Sequence, residues 1–213
     1  MSAPTRTIVK VCGITRIEDA RMALGAGADW IGVILKGDSP RRIEAAQARV
    51  ISSAVDGATV VGVMVAPTPD EALELARASG ATRVQLHRVD GLQWPADFPL
   101  PVTIVVAVAA DGSLSEILPP EHHHVLLDTA DESLAGGTGR TFPWEAARVV
   151  AATRPVMLAG GLGPDNVAEA VSHVWPFGVD ASSRLEISPG IKDAERVRRF
   201  VAKVRECDDR FER

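Results

Sequence analysis

The feature that most constrains this chain is a rhythm. Short runs rich in β-branched residues alternate with longer stretches whose apolar residues recur at spacings of three and four. The runs predict strands at Thr7–Val11, Trp30–Leu35, Thr59–Val65, Arg83–Leu86, Val102–Val108, His124–Leu127, Pro155–Leu158 and Gly178–Asp180. The stretches between and after them predict helices at Ile17–Gly25, Ala45–Ser53, Pro69–Ser79, Trp144–Ala152, Pro164–His173 and Asp193–Arg205, with weaker signals near Leu92–Asp97 and Leu114–Leu118. Strands alternating with helices in this way predict an α/β fold, a (β/α)8 TIM barrel, with residues 1–213 forming one domain. Runs such as TIVKV and VTIVVAV are apolar on both faces, as parallel strands must be when helices cover the outside and side chains fill the inside. An open doubly wound sheet is the alternative. Against it, no G-x-G-x-x-G turn follows the first strand, and the suggestive glycines come late, at Gly160 and Gly161.

Composition narrows the partners. With 28 acids against 23 bases the formal net charge is −5, and the basic residues are scattered, so no extended basic surface awaits nucleic acid. The only two cysteines, Cys12 and Cys207, are far apart and outside any C-x-x-C or Cys/His ligand spacing, which excludes a disulfide framework. The N-terminus lacks an apolar signal core, and no run of about 18 apolar residues occurs, so the expectation is a cytoplasmic protein without a membrane partner.

In a barrel of this kind reactive groups stand at the C-terminal ends of strands. The polar residues there are Lys10 and Cys12, Ser39-Pro40-Arg41, Gln85 and His87, Asp128, Gly160-Gly161, and Asp180 with Ser182 and Ser183. Cys12 is either a core thiol or a catalytic one at the mouth, where a neighbouring Lys or Arg favours thiolate. Asp128 is either a general acid with a raised pKa or a cap for the next loop. Gly160-Gly161 ahead of a helix near Pro164 has the form of a phosphate cradle, in which bare amides and a helix N-terminus converge, although paired glycines also make tight turns. Arg41 can grip a carboxylate bidentately or stand as a solvated loop residue. His122-His123-His124 enters a strand, so its members point to opposite faces; this places it at the barrel bottom and argues against a metal site.

Taken together, Lys10-Val-Cys-Gly-Ile-Thr15, Ser39-Pro-Arg41, Val84-Gln-Leu-His87, Leu127-Asp-Thr129, Gly136-Gly-Thr-Gly139 with Phe142 and Trp144, Leu158-Ala-Gly-Gly-Leu162 and Pro189-Gly-Ile-Lys-Asp193 resemble, in order and spacing, the phosphoribosylanthranilate isomerases of tryptophan biosynthesis. The likeness runs from about Val9 to Phe200. It implies a barrel that performs an Amadori rearrangement of N-(5-phosphoribosyl)anthranilate without metal or cofactor. By this resemblance Cys12 is the general base at carbon 2 of the sugar, and Asp128 is the general acid that protonates the ring oxygen. Arg41 holds the anthranilate carboxylate; Gly160 and Gly161, with Ser182 and Ser183, form the phosphate site. From their places at the strand ends, Lys10, Gln85, His87, Asp180 and Arg184 are expected as further substrate-binding residues. The expected partner is a small phosphorylated substrate, and the expected assembly a monomer or homodimer.

The chain departs from the family pattern in three places, one of them Val33-Ile-Leu-Lys-Gly37, where the aromatics common after strand two are replaced. After strand eight, where the family has S-S-G-V-E, this chain reads Ser182-Ser-Arg-Leu-Glu186, so Arg184 replaces a glycine and must either add charge to the phosphate site or crowd it. Arg88 replaces the glycine of V-Q-L-H-G. These changes keep two rivals open: a paralogue acting on a related phosphorylated aminoaldose, and a barrel that only binds a sugar phosphate.

Overall fold

In the computed structural model, which describes residues 6–129 and 143–211, strands β1 (Ile8–Val11), β2 (Trp30–Lys36), β3 (Thr59–Val65), β4 (Arg83–His87), β5 (Val102–Val108), β6 (His124–Thr129), β7 (Val156–Leu158) and β8 (Gly178–Ala181) close into a parallel barrel in sequence order. Closure is made by β8 against β1, with Val9 opposite Val179 and Lys10 opposite Asp180. Gly136-Gly-Thr-Gly139 and Phe142 lie outside the described residues.

Helices α1 (Ile17–Gly25), α2 (Ala45–Ala54), α3 (Pro69–Ser79), α4 (Trp144–Ala151), α5 (Val167–Val174) and α6 (Ala194–Phe211) cover the outside. The weak helices expected near Leu92–Asp97 and Leu114–Leu118 are not formed. In the first, Pro95 removes a backbone donor and disfavours helical geometry at Trp94, while the Asp90 carboxylate accepts from Leu92 N at 2.9 Å and makes a turn instead. In the second, Asp111 accepts from Ser113 N at 2.9 Å, and Ser115 N donates back to Ala107 O at 2.8 Å, folding the chain against the end of β5 ahead of Pro119-Pro120. The α5 helix begins at Val167 rather than near Pro164, because the Asn166 side chain accepts from Gly163 N and donates to Gly161 O, tying residues 161–166 into a turn. Strands β9 (Glu186–Ser188) and β10 (Ile191–Lys192), a small antiparallel pair, add an element the periodicity did not predict.

Strand parity divides the core in two. Val9, Val11, Val84, Leu86, Val179 and Ala181 face outward into the large cluster beneath the helices, whereas Cys12, Trp30, Val61, Val63, Val105, Leu126, Met157 and Ala159 fill the interior. Successive side chains alternate, so the inward positions of β1, β4, β6 and β8 also include Lys10, Gln85, His87, Asp128 and Asp180. The capping box of α3, in which Thr68 and Glu71 bond reciprocally, and the left-handed Gly80 at its end show local sequence fixing a helix.

Candidate active site

The barrel mouth is built around Lys10, a lysine with no solvent exposure. Its ammonium donates to Asp180 Oδ2 at 2.7 Å and to Gln85 Oε1 at 2.9 Å. Burial alone would discharge it, but Asp180 and, after it, Cys12 together outweigh that cost and the Lys10 pKa lies above the ordinary lysine value. Room for this side chain comes from β2: a Cβ at Gly32 would stand 2.8 Å from Cys12 Sγ and 3.2 Å from Lys10 Nζ. Gly32 therefore lets the thiol and the ammonium share one space.

Because Gln85 Oε1 faces the lysine, its amide nitrogen turns to His87 Nε2 at 3.2 Å. Burial, with Lys10 and Arg88 nearby, holds His87 down at about 4, so the imidazole is neutral and accepts from Gln85. Asp180 Oδ1 is buried with no hydrogen-bond partner among the described residues, an acceptor left open in the interior.

Cys12 is buried, and burial pushes its thiol up, with Asp180 adding to the rise while Lys10 and Lys192 pull it back. Asp128 ends the inward row of β6, half-buried, and accepts from Thr129 N at 2.8 Å. Burial, with some help from Asp180, lifts it to about 6. An acid that keeps its proton to about 6, on β6, and a thiol just after β1 thus face the interior with β7 and β8 between their strands, and the Lys10–Asp180 pair acts on the electrostatics of both.

Gly160 and Gly161 have φ +86 and +65, a left-handed pair only glycine adopts without strain. A Cβ at Gly160 would also press on the Thr129 backbone nitrogen at 2.8 Å. Among the described residues the N–H groups of Gly160, Gly161 and Leu162 donate to no backbone or side-chain acceptor. Successive free amides in such a turn form an anion-binding concavity. Across from them lie Ser182, Ser183 and Arg184, all half-buried, the last two in a 3-10 turn (Ser183–Leu185). Arg184 is not left-handed and suffers no strain from replacing glycine. Its side chain crosses Gly163 and donates to Gly161 O at 3.1 Å, with Asp165 at 3.7 Å.

Arg41 is no solvated loop residue. It is buried, and its Nε and Nη2 hold Glu186 at 2.8 to 3.0 Å, while Lys192 Nζ reaches the same carboxylate at 2.7 Å. Gly13, with φ +74, allows this approach, since a Cβ there would fall 2.7 Å from Arg41 Cδ and 2.8 Å from Ser182 Oγ. Sequence reasoning missed Glu186 and Lys192 as members of the site. Both lie in quoted motifs, but only the β9–β10 pair brings them under Arg41. His124 starts β6, with its ring 5.6 Å from that of Phe177, at the opposite end of the barrel from this site.

The family model for N-(5'-phosphoribosyl)anthranilate (PRA) isomerase matches residues 9–203. The chain belongs to this family. It is 45% identical over 199 residues to the N-(5'-phosphoribosyl)anthranilate isomerase of Rubrobacter xylanophilus, covering 91% of this chain and 97% of that protein. Among solved structures it is similar to the phosphoribosyl anthranilate isomerase of Thermotoga maritima, with a TM-score of 0.80 at 30% identity, covering 94% of this chain and 99% of the other. A family structure solved in complex with reduced 1-(o-carboxyphenylamino)-1-deoxyribulose 5-phosphate matches with a TM-score of 0.77 at 29% identity, covering 94% and 99%. Arg88 and Arg184 are the two arginines at positions where the resembled motifs carry glycine. Arg88 takes φ +55, the left-handed conformation that favours glycine.

Proposed function

We propose that this PRA isomerase family member converts N-(5'-phosphoribosyl)anthranilate into 1-(2-carboxyphenylamino)-1-deoxyribulose 5-phosphate by acid–base catalysis at the barrel mouth. The carrying observation is a half-buried carboxyl lifted to about 6, Asp128, together with an interior thiol, Cys12, both under the influence of the Lys10–Asp180 pair. Asp128 gives its proton to the furanose ring oxygen as the bond from carbon 1 to that oxygen breaks, leaving an iminium on the anthranilate nitrogen. Cys12, in the thiolate form that the Lys10 and Lys192 ammoniums favour against the cost of burial, removes the proton from carbon 2, and the electron pair neutralises the iminium to an enolamine. The enol then tautomerises to the ketone, so no atom or electron is gained or lost.

The free amides of Gly160, Gly161 and Leu162 receive the phosphate, with Ser182, Ser183 and Arg184 as the facing wall. Asp180 Oδ1 and neutral His87 are the groups available to sugar hydroxyls, and Arg41 meets the anthranilate carboxylate. All these residues stand on one chain, so a monomer or a homodimer serves, and the expected compartment is the cytoplasm. No helix among the described residues is long and apolar enough to cross a membrane. Product formation by the purified protein, together with restored growth of a tryptophan auxotroph lacking this isomerase, tests the reading. Failure of both overturns it.

A further inference from the structure

Glu186 and Arg41 make an arrangement that goes beyond a charge pair. The guanidinium has five N–H donors in one plane. Glu186 takes Nε at 2.9 and 3.0 Å and one donor of Nη2 at 2.8 Å, which occupies the side-on edge. The second Nη2 donor and one Nη1 donor form the end-on edge, the other Nη1 donor lies alongside Cδ, and Nη1 makes no hydrogen bond to a described residue. Glu186 itself cannot swing. Its side chain is 3% exposed, and its Oε1 also accepts from Lys192 Nζ at 2.7 Å and from Gly190 N at 3.3 Å. The β9–β10 pair therefore fixes the carboxylate, and the carboxylate fixes the guanidinium plane.

We propose that Glu186 is a positioning residue for the isomerisation: it holds Arg41 so that the end-on edge is presented to the carboxylate of the substrate. This rests on the reading that Arg41 meets that carboxylate. The triad of Arg41, Lys192 and Glu186 carries one net positive charge, so a negative residue beside a carboxylate site is tolerated. If charge alone mattered, removing the Glu186 negative charge would strengthen anion binding. Positioning predicts the opposite sign.

The experiment compares Arg41→Ala, Glu186→Gln and Glu186→Asp with the parent protein. The readouts are KM and kcat, inhibition by anthranilate as a carboxylate probe, and inhibition by inorganic phosphate as a probe of the far end of the site. Glu186→Gln should raise KM about tenfold and weaken anthranilate inhibition equally, with kcat within about threefold, since one charged hydrogen-bond set is lost from the ligand's holder. Phosphate inhibition should not move, which separates positioning from general loosening. Glu186→Asp should fall between parent and Gln. An unchanged or lowered KM in folded Glu186→Gln overturns the proposal; if that variant does not fold, an unchanged KM in Glu186→Asp does so. An unchanged KM in Arg41→Ala overturns the carboxylate reading itself.

Discussion

Lys10 and Asp180 are register partners across the β1–β8 seam, and their inward side chains meet at 2.7 Å in the barrel interior. This pair closes the barrel electrostatically where it also closes by hydrogen bonding, and both Cys12 and Asp128 sense it. A buried pair is costly to break from one side, because the remaining charge has no water to turn to. Lys10→Met should therefore lower stability by about 3–5 kcal/mol, whereas Lys10→Met with Asp180→Asn should recover a large part of it. Urea unfolding of the two variants decides this; equal stability of both would show that the pair is not coupled.

Cys12→Ser and Asp128→Asn should each cost about 10²–10⁴ in turnover with the fold intact, the usual loss for a positioned base or acid. Steady-state kinetics with circular dichroism checks it. Near-parental turnover in either variant rules out that residue's role.

The same Asp128 carries a stability signature. Its folded pKa of about 6 lies above the ordinary value of 3.8. Below the ordinary value both folded and unfolded states are protonated and nothing is lost. As pH rises through the folded value, the native state must ionise a buried group, and stability falls. Asp128→Asn should be equal in stability to the parent near pH 4 and more stable by about 1–3 kcal/mol at pH 7, the lower figure allowing for partial solvation. Melting curves across that range supply the test, and a constant difference would contradict the raised pKa.

Arg88 is exposed and left-handed, φ +55, where the family pattern has glycine. Arg88→Gly should stabilise the fold by about 1 kcal/mol by relieving that conformation, with turnover little changed. A destabilised variant would mean that the Arg88 side chain contributes more than its backbone costs.

Arg184 lies across the Gly160–Gly163 turn proposed to receive phosphate, with its guanidinium on Gly161 O. Arg184→Gly should weaken inorganic phosphate binding by about three- to tenfold at low salt, the difference shrinking as salt screens the charge. Titration calorimetry at two ionic strengths reads this directly. Tighter phosphate binding in the glycine variant would show that the arginine obstructs the loop.

Much of this was legible in the residues themselves. The short β-branched runs place the eight strands because apolar content and β-branching are local properties, and parity along β1, β4 and β8 is enough to align Lys10 with Cys12, Gln85 with His87, and Asp180 with Ser182. The motifs at Cys12, Asp128 and Gly160-Gly161 stood out as candidates for the same reason: a strand end followed by glycine or a polar residue is readable without knowing its neighbours. The two weak helices failed because Pro95 and the side chains of Asp90 and Asp111 outcompete a marginal helical signal.

Only the tertiary structure decided the rest. That Lys10 finds Asp180 and Gln85 depends on barrel closure and on Gly32 yielding space, contacts between residues far apart in the chain. That Arg41 is held by Glu186 and Lys192 depends on a short β-pair with no periodicity of its own. The pKa values follow the same division: sequence can name Asp128, but its lift to about 6 comes from burial and from neighbours that folding brings together. Charge interactions and desolvation are properties of distance and surroundings, and a linear sequence specifies them only through the fold it makes.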